Sequence, residues 1–197
     1  LDTLTMQATA EMIHEIIIKE KIDLFHLVGH SMGGYVSLAY AKLYPNKIKS
    51  LTLFNSTAKA DNEQKQADRL KAVRVFDMNP SIFIDEAIKN LFYAPNIEKF
   101  PEEVEALTMI AKGTSVKGAQ ASLRGMRLRE DLVQWLGAQK FPIHYIAGQF
   151  DNTVPYASIN EQIPITGAKL TTLSQSGHMG FVEEKDKCIQ AMKLFFA

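Results

Sequence analysis

The chain has 197 residues, enough for one domain with a real core, and its 22 basic residues balance 22 acidic ones. That balance leaves no electrostatic footprint for nucleic acid or an anionic membrane surface. A lone Cys188 excludes an internal disulfide and fits a reducing, cytoplasmic setting. No apolar run reaches the ~18–20 residues of a membrane span, and no basic segment followed by an apolar core marks a signal peptide. Zinc-type Cys/His spacing, a phosphate-cradling glycine loop and internal repeats are all missing, so no cofactor and no metal are expected.

In chain order, Met12, Ile13, Ile16 and Ile17 recur at helical spacing among Glu11, Glu15, Lys19 and Glu20, which predicts an amphipathic helix. Residues 24–28 form an apolar, strand-like run. Gly29-His30-Ser31-Met32-Gly33 follows, a G-x-S-x-G pattern, and residues 34–41 then read as a helix. A sharp strand-to-helix turn lifts a serine hydroxyl above a sheet and sets a helix N-terminus beneath it. The flanking glycines suit a strained turn whose neighbouring backbone leaves little room for a Cβ.

A strand over 48–54 ends at Asn55-Ser56, which offers no carboxylate. Residues 58–138 read as a helical insert. It opens with a charged helix around 62–75, breaks at Asn79-Pro80 with Ser81 as a cap, and breaks again at Pro95 and Pro101. Pro101-Glu102-Glu103 makes a good first turn. Phe76, Phe83, Phe92, Tyr93 and Trp135 either line a pocket or pack within the insert. Arg124, Arg127 and Arg129 either meet a substrate carboxylate or form a solvated helix face. Strands then follow at 142–147 and 169–173, with a short helix between them at 156–165 and a final helix near 184–196. Alternation of strand and helix argues an α/β fold, a mostly parallel sheet with flanking helices.

Serine is a weak nucleophile that needs a base, and the base needs an orienting acid. Of the five histidines, His14 reads as a surface residue. His26 and His144 lie inside strands, where packing or hydrogen bonding explains them. His30 sits in the turn, with its side chain directed away from that of Ser31. His178 lies in a loop just past a strand, between glycines 177 and 180. Among the acids, Asp131 precedes a helix it can cap, and Glu183, Glu184 and Asp186 come after His178. Asp151 follows a strand ending in glycine; its alternative reading is an Asx turn. The candidates are therefore Ser31 as nucleophile, His178 as base, Asp151 as acid and the Met32 N–H as an oxyanion donor.

Gly29-His30-Ser31-Met32-Gly33-Gly34, Tyr44-Pro45, Gly148-Gln149-Phe150-Asp151-Asn152-Thr153-Val154-Pro155 and Ser176-Gly177-His178-Met179-Gly180-Phe181 together resemble the α/β-hydrolase superfamily, in its small-cap esterase and lactonase branch. The resemblance implies a hydrolase core over 1–57 and 139–197 and a helical cap over 58–138. It implies serine hydrolysis of a small-molecule ester, lactone or similar acyl substrate, with no nucleic-acid or membrane partner. A serine nucleophile sets the chain apart from dehalogenase and epoxide-hydrolase relatives, which attack with aspartate. Lys185 stands where many relatives start the last helix with proline. Members usually carry four strands ahead of the turn strand, and about 20 residues stand there here. The expectation is a C-terminal portion of a longer fold, with an open sheet edge prone to self-association and a second oxyanion donor outside these residues. The rival expectations are a ligand-binding receptor on the same fold and an inactive fragment.

Overall fold

The structure is a computed structural model that describes residues 2–78 and 80–197. Four strands, β1 (Phe25–His30), β2 (Ile48–Phe54), β3 (Ile143–Gly148) and β4 (Lys169–Leu173), form one parallel sheet in chain order. Because all four run the same way, their C-terminal ends share one rim, where sites of open α/β sheets are built.

The sheet is covered on both faces. Leu51 and Leu53 of β2 and Ile143, Tyr145 and Ala147 of β3 join a cluster with α2 (Met32–Leu43). The alternate residues Phe54 and Ile146 meet Cys188 and Ala191 of α11 (Lys185–Phe196). Period-two alternation with both faces buried is why these strands read as nearly continuous apolar runs. Between β3 and β4 lie α8 (Tyr156–Asn160) and α9 (Ile163–Thr166), and α10 (Gly180–Glu183) precedes α11.

Helix α1 (Met6–Lys19) starts at Thr5, whose hydroxyl accepts the Ala8 N–H at 3.1 Å. Its packed stripe is Met6, Ala10, Ile13 and Ile17. Met12 and Ile16, expected in that stripe, are 57% and 60% exposed, because α2 covers only one narrow side of the helix. His14 is not a plain surface residue. Its ring stacks on Tyr44 with centroids 3.6 Å apart, and Nδ1 lies 2.9 Å from the Tyr40 hydroxyl. Strand β1 is a sheet edge, and Leu24 and Val28 along it are 56% and 42% exposed. No described helix is long and apolar enough to cross a membrane.

Between β2 and β3 run α3 (Glu63–Met78), α4 (Pro80–Lys89), α5 (Pro101–Gly113), α6 (Val116–Arg127) and α7 (Val133–Gly137). Ser81 is the second residue of α4 rather than its cap, since Pro80 already opens that helix; Asn79 lies outside the described residues. The two ends of this insert are clasped together. Asp61 at its start binds Arg69 of α3 and, at 2.6 Å, Arg129 just past α6. Burial alone would push the Asp61 carboxyl up, but the Arg69 hydrogen bond and the charges of both arginines hold it below the usual carboxylate range. The Arg129 guanidinium also lies 4.0 Å over the Tyr35 ring of α2. Arg124 donates to the Asp2 carbonyl at 2.9 Å. These two arginines hold the insert to the core rather than waiting for a substrate.

His144 is wholly buried on β3, with Nε2 2.9 Å from the Thr171 hydroxyl and its ring against Phe195. Desolvation, with the nearby Lys169 charge, pushes its pKa down to about 4. Its unfolded value is near 6.5, so below that pH the unfolded chain binds a proton that the folded chain refuses. Stability is therefore unaffected by His144 above pH 6.5 and falls from there towards pH 4, by roughly 3 kcal/mol at 1.36 kcal/mol per unit. Urea midpoints at pH 7, 5.5 and 4.5 measure this, and His144→Gln is expected to flatten part of the slope. An unchanged slope in that variant would assign the acid sensitivity elsewhere.

Candidate active site

Ser31 joins β1 to α2 with φ 54° and ψ −122°, outside the relaxed regions for an L-residue. The contacts around it hold that conformation. The Ser31 N–H donates to the Phe54 carbonyl at 3.0 Å, and its own carbonyl accepts the Gly34 N–H at 3.0 Å and the Ser56 hydroxyl at 2.9 Å. A Cβ at Gly29 would stand 2.4 Å from the Gly33 carbonyl oxygen, and one at Gly34 would stand 2.2 Å from Ser56 Oγ. Those two glycines are sterically required. Gly33, the last glycine of the G-x-S-x-G pattern, has open space where its Cβ would be. Met32 opens α2, so its N–H has no acceptor within the helix.

The three chain segments singled out by sequence meet at the sheet rim. The Ser31 hydroxyl lies 2.8 Å from His178 Nε2, and His178 Nδ1 lies 2.7 Å from Asp151 Oδ2. A carboxylate only accepts, so Nδ1 carries the proton and Nε2 is left to accept from Ser31. His178 is 2% exposed and Asp151 5% exposed, which removes competing water from that bond. Asp151 is held by four donors. Its Oδ1 takes the N–H groups of Thr153 at 2.7 Å and Val154 at 2.9 Å, the Asx-turn pattern, while Oδ2 takes His178 and, at 3.0 Å, Asn55 Nδ2. The Asx-turn reading and the acid reading thus describe one side chain.

Sequence reasoning passed over three residues here. Asn55, at φ 44° and fully buried, donates to both Asp151 and the Gly177 carbonyl, the latter at 3.1 Å. It offers no carboxylate, and the signal that could find it is an amide closing an apolar strand. His30 Nε2–H donates to the His178 carbonyl at 2.8 Å, and the ring stands edge-on to Phe54 and Phe181. Burial first, then the neighbouring His178, pushes its pKa down to about 4, so it is neutral at pH 7. Glu183, dismissed as an acid, accepts the Gly177 N–H at 2.8 Å. Cys188 is no rival nucleophile: its thiol is buried, donates to the Gly180 carbonyl at 3.2 Å, and is pushed up to about 12 by burial.

The model of the family described as alpha/beta hydrolase fold matches residues 2–79. A thermophilic esterase from Thermogutta terrifontis superposes with a TM-score of 0.91 at 25% identity, covering 98% of this chain and 72% of the esterase. Residues 2–79 thus match the α/β-hydrolase family, and the chain as a whole has the α/β-hydrolase fold. Among curated relatives, the chain is 28% identical to a dihydrolipoyllysine-residue acetyltransferase component of an acetoin cleaving system from Pseudomonas putida, over 99% of this chain and 50% of that protein. It is also 28% identical to the human monoacylglycerol lipase ABHD6, over 64% of this chain and 35% of the lipase. The chain thus spans half or less of the length of these two relatives.

Proposed function

We propose that this α/β-hydrolase is a serine hydrolase that cleaves a carboxylic ester, lactone or similar small acyl compound through an acyl-enzyme on Ser31. One observation carries the reading: the unbroken run Asp151–His178–Ser31, with steps of 2.7 and 2.8 Å at the C-terminal rim of the sheet. His178 Nε2 takes the hydroxyl proton as Ser31 Oγ attacks the substrate carbonyl carbon. Asp151 holds the Nδ1–H tautomer and stabilises the imidazolium. The oxyanion of the tetrahedral intermediate meets the Met32 N–H at the positive end of α2. Collapse expels the alcohol, which leaves with the proton from Nε2. A water then repeats the sequence on the acyl-serine, and the acid is released. The helical insert acts as the cap that closes over the acyl group. The esterase and lipase likenesses support acyl chemistry, and we place the protein in the cytoplasm on its single buried thiol.

Intact-mass spectrometry with a fluorophosphonate probe tests this reading. One adduct is expected on the parent chain and none on Ser31→Ala. A parent chain that takes no adduct would overturn hydrolysis by these residues and leave the two rivals, a ligand-binding role on the same fold and an inactive fragment.

A further inference from the structure

The loop that carries His178 has no regular structure of its own, and the backbone N–H groups of Gln175, Gly177 and His178 are taken by groups from outside it. Glu184 Oε2 accepts the Gln175 N–H at 2.8 Å and the Ser176 hydroxyl at 2.7 Å. Glu183 Oε1 accepts the Gly177 N–H at 2.8 Å. The Leu91 carbonyl, in the insert, accepts the His178 N–H at 2.7 Å. Glu183 then reaches across with its other oxygen: Oε2 accepts the Tyr93 N–H at 2.9 Å and Asn96 Nδ2 at 2.8 Å. Asn96, itself buried, also donates to the Gln175 carbonyl at 2.6 Å. A Cβ at Gly177 would stand 2.6 Å from Tyr93 N and 2.8 Å from the Leu91 oxygen. Insert residues 91–96 and the histidine loop are thus in backbone-to-backbone contact, with one carboxylate bridging them.

We propose that Glu183 is a positioning residue that couples insert residues 91–96 to His178, so that the imidazole keeps its place between Asp151 and Ser31 only while this stretch of the insert is seated. The inference rests on the hydrolase reading above. Its physical basis is the strength of charge-assisted bonds from N–H donors to a carboxylate. Three such bonds converge on Glu183 from two chain segments that are far apart in sequence. A glutamine there satisfies fewer of them, because its amide N–H₂ faces other donors.

The test compares the parent chain with Glu183→Gln by proton NMR and by fluorophosphonate labelling. In the parent, the His178 Nδ1–H shared with Asp151 is expected to give a far-downfield resonance. In Glu183→Gln that resonance is expected to broaden or vanish, and the labelling rate constant to fall by about 10- to 100-fold, the scale of an ångström-sized misplacement. Should that variant fail to fold, Asn96→Ala decides. It removes one of the two insert donors to Glu183, together with the Asn96 bond to the Gln175 carbonyl, and leaves the Tyr93 and Gly177 bonds in place, so a smaller fall with the same spectral change is expected. An unchanged resonance and labelling rate in the folded variant overturns the proposal, as does a parent spectrum without that resonance. A parent that shows the resonance but takes no label overturns the hydrolase reading instead, and the resonance still judges Glu183.

Discussion

Asp151→Asn is expected to lower kcat on a short-chain nitrophenyl ester by about 10⁴-fold while leaving the fold intact. The carboxylate now accepts from four groups, two on each oxygen. An asparagine must put its N–H₂ on one side. Facing Thr153 and Val154, it would set donors against donors and open the turn that holds the loop. Facing His178 and Asn55, it forces Nδ1 to become an acceptor. The imidazole then carries its proton on Nε2, which can no longer take one from Ser31. Either outcome leaves the protein folded, because the remaining hydrogen bonds cost only about 1–3 kcal/mol to rearrange. Steady-state kinetics across pH 6–9, with a urea titration beside them, measure both halves. A loss smaller than tenfold would mean that Asp151 serves the turn and not the imidazole.

Gly148→Ala is expected to be among the most damaging small substitutions outside the reacting groups. Gly148 ends β3, and a Cβ there would stand 1.9 Å from the Gly177 carbonyl oxygen and 2.7 Å from that of Ser176. Both obstacles are backbone, so no rotamer change relieves them. The strand end and the histidine loop must part, which endangers the Phe150 N–H to Ser176 bond of 2.9 Å and the Asn55 bond to Gly177. Ordinary overpacking costs about 1–3 kcal/mol; this clash is expected at or above the top of that range, a large share of a typical ~5–15 kcal/mol total. Gly33→Ala is the internal control. Its Cβ meets nothing, and it lies in a helix, so a gain of roughly 0.5–1 kcal/mol is expected. Urea midpoints decide the contrast, and equal midpoints for the two variants would refute it.

What could be read from sequence follows from what each residue answers to. The turn at Ser31 was legible because a strained strand-to-helix bend demands glycines, although only Gly29 and Gly34 of the three turned out to be sterically required. Ser31, Asp151 and His178 could be located because each follows an apolar run that had to be a strand. The packed stripe of α1 was misjudged because Met12, Ile13, Ile16 and Ile17 straddle two adjacent stripes, and only the partner helix chooses between them. Asn55 and Glu183 were missed for a different reason. Their partners include side chains and backbone groups on distant parts of the chain, and no local periodicity records such a match. The arginines at the end of the insert were ambiguous on the same ground, since Asp61 lies far from Arg129 in sequence.

The clasp of Asp61, Arg69 and Arg129 has an evolutionary reading. It pins both ends of the helical insert, so the core meets that insert as a loop of fixed chord. Lengthening such a loop costs only logarithmically, and what lies between the anchors is open to rewriting while the sheet beneath stays as it is. On the hydrolase reading proposed above, variants with a changed substrate preference are expected to differ here, with one stretch held back: residues 91–96, which are bonded to the histidine loop and to Glu183.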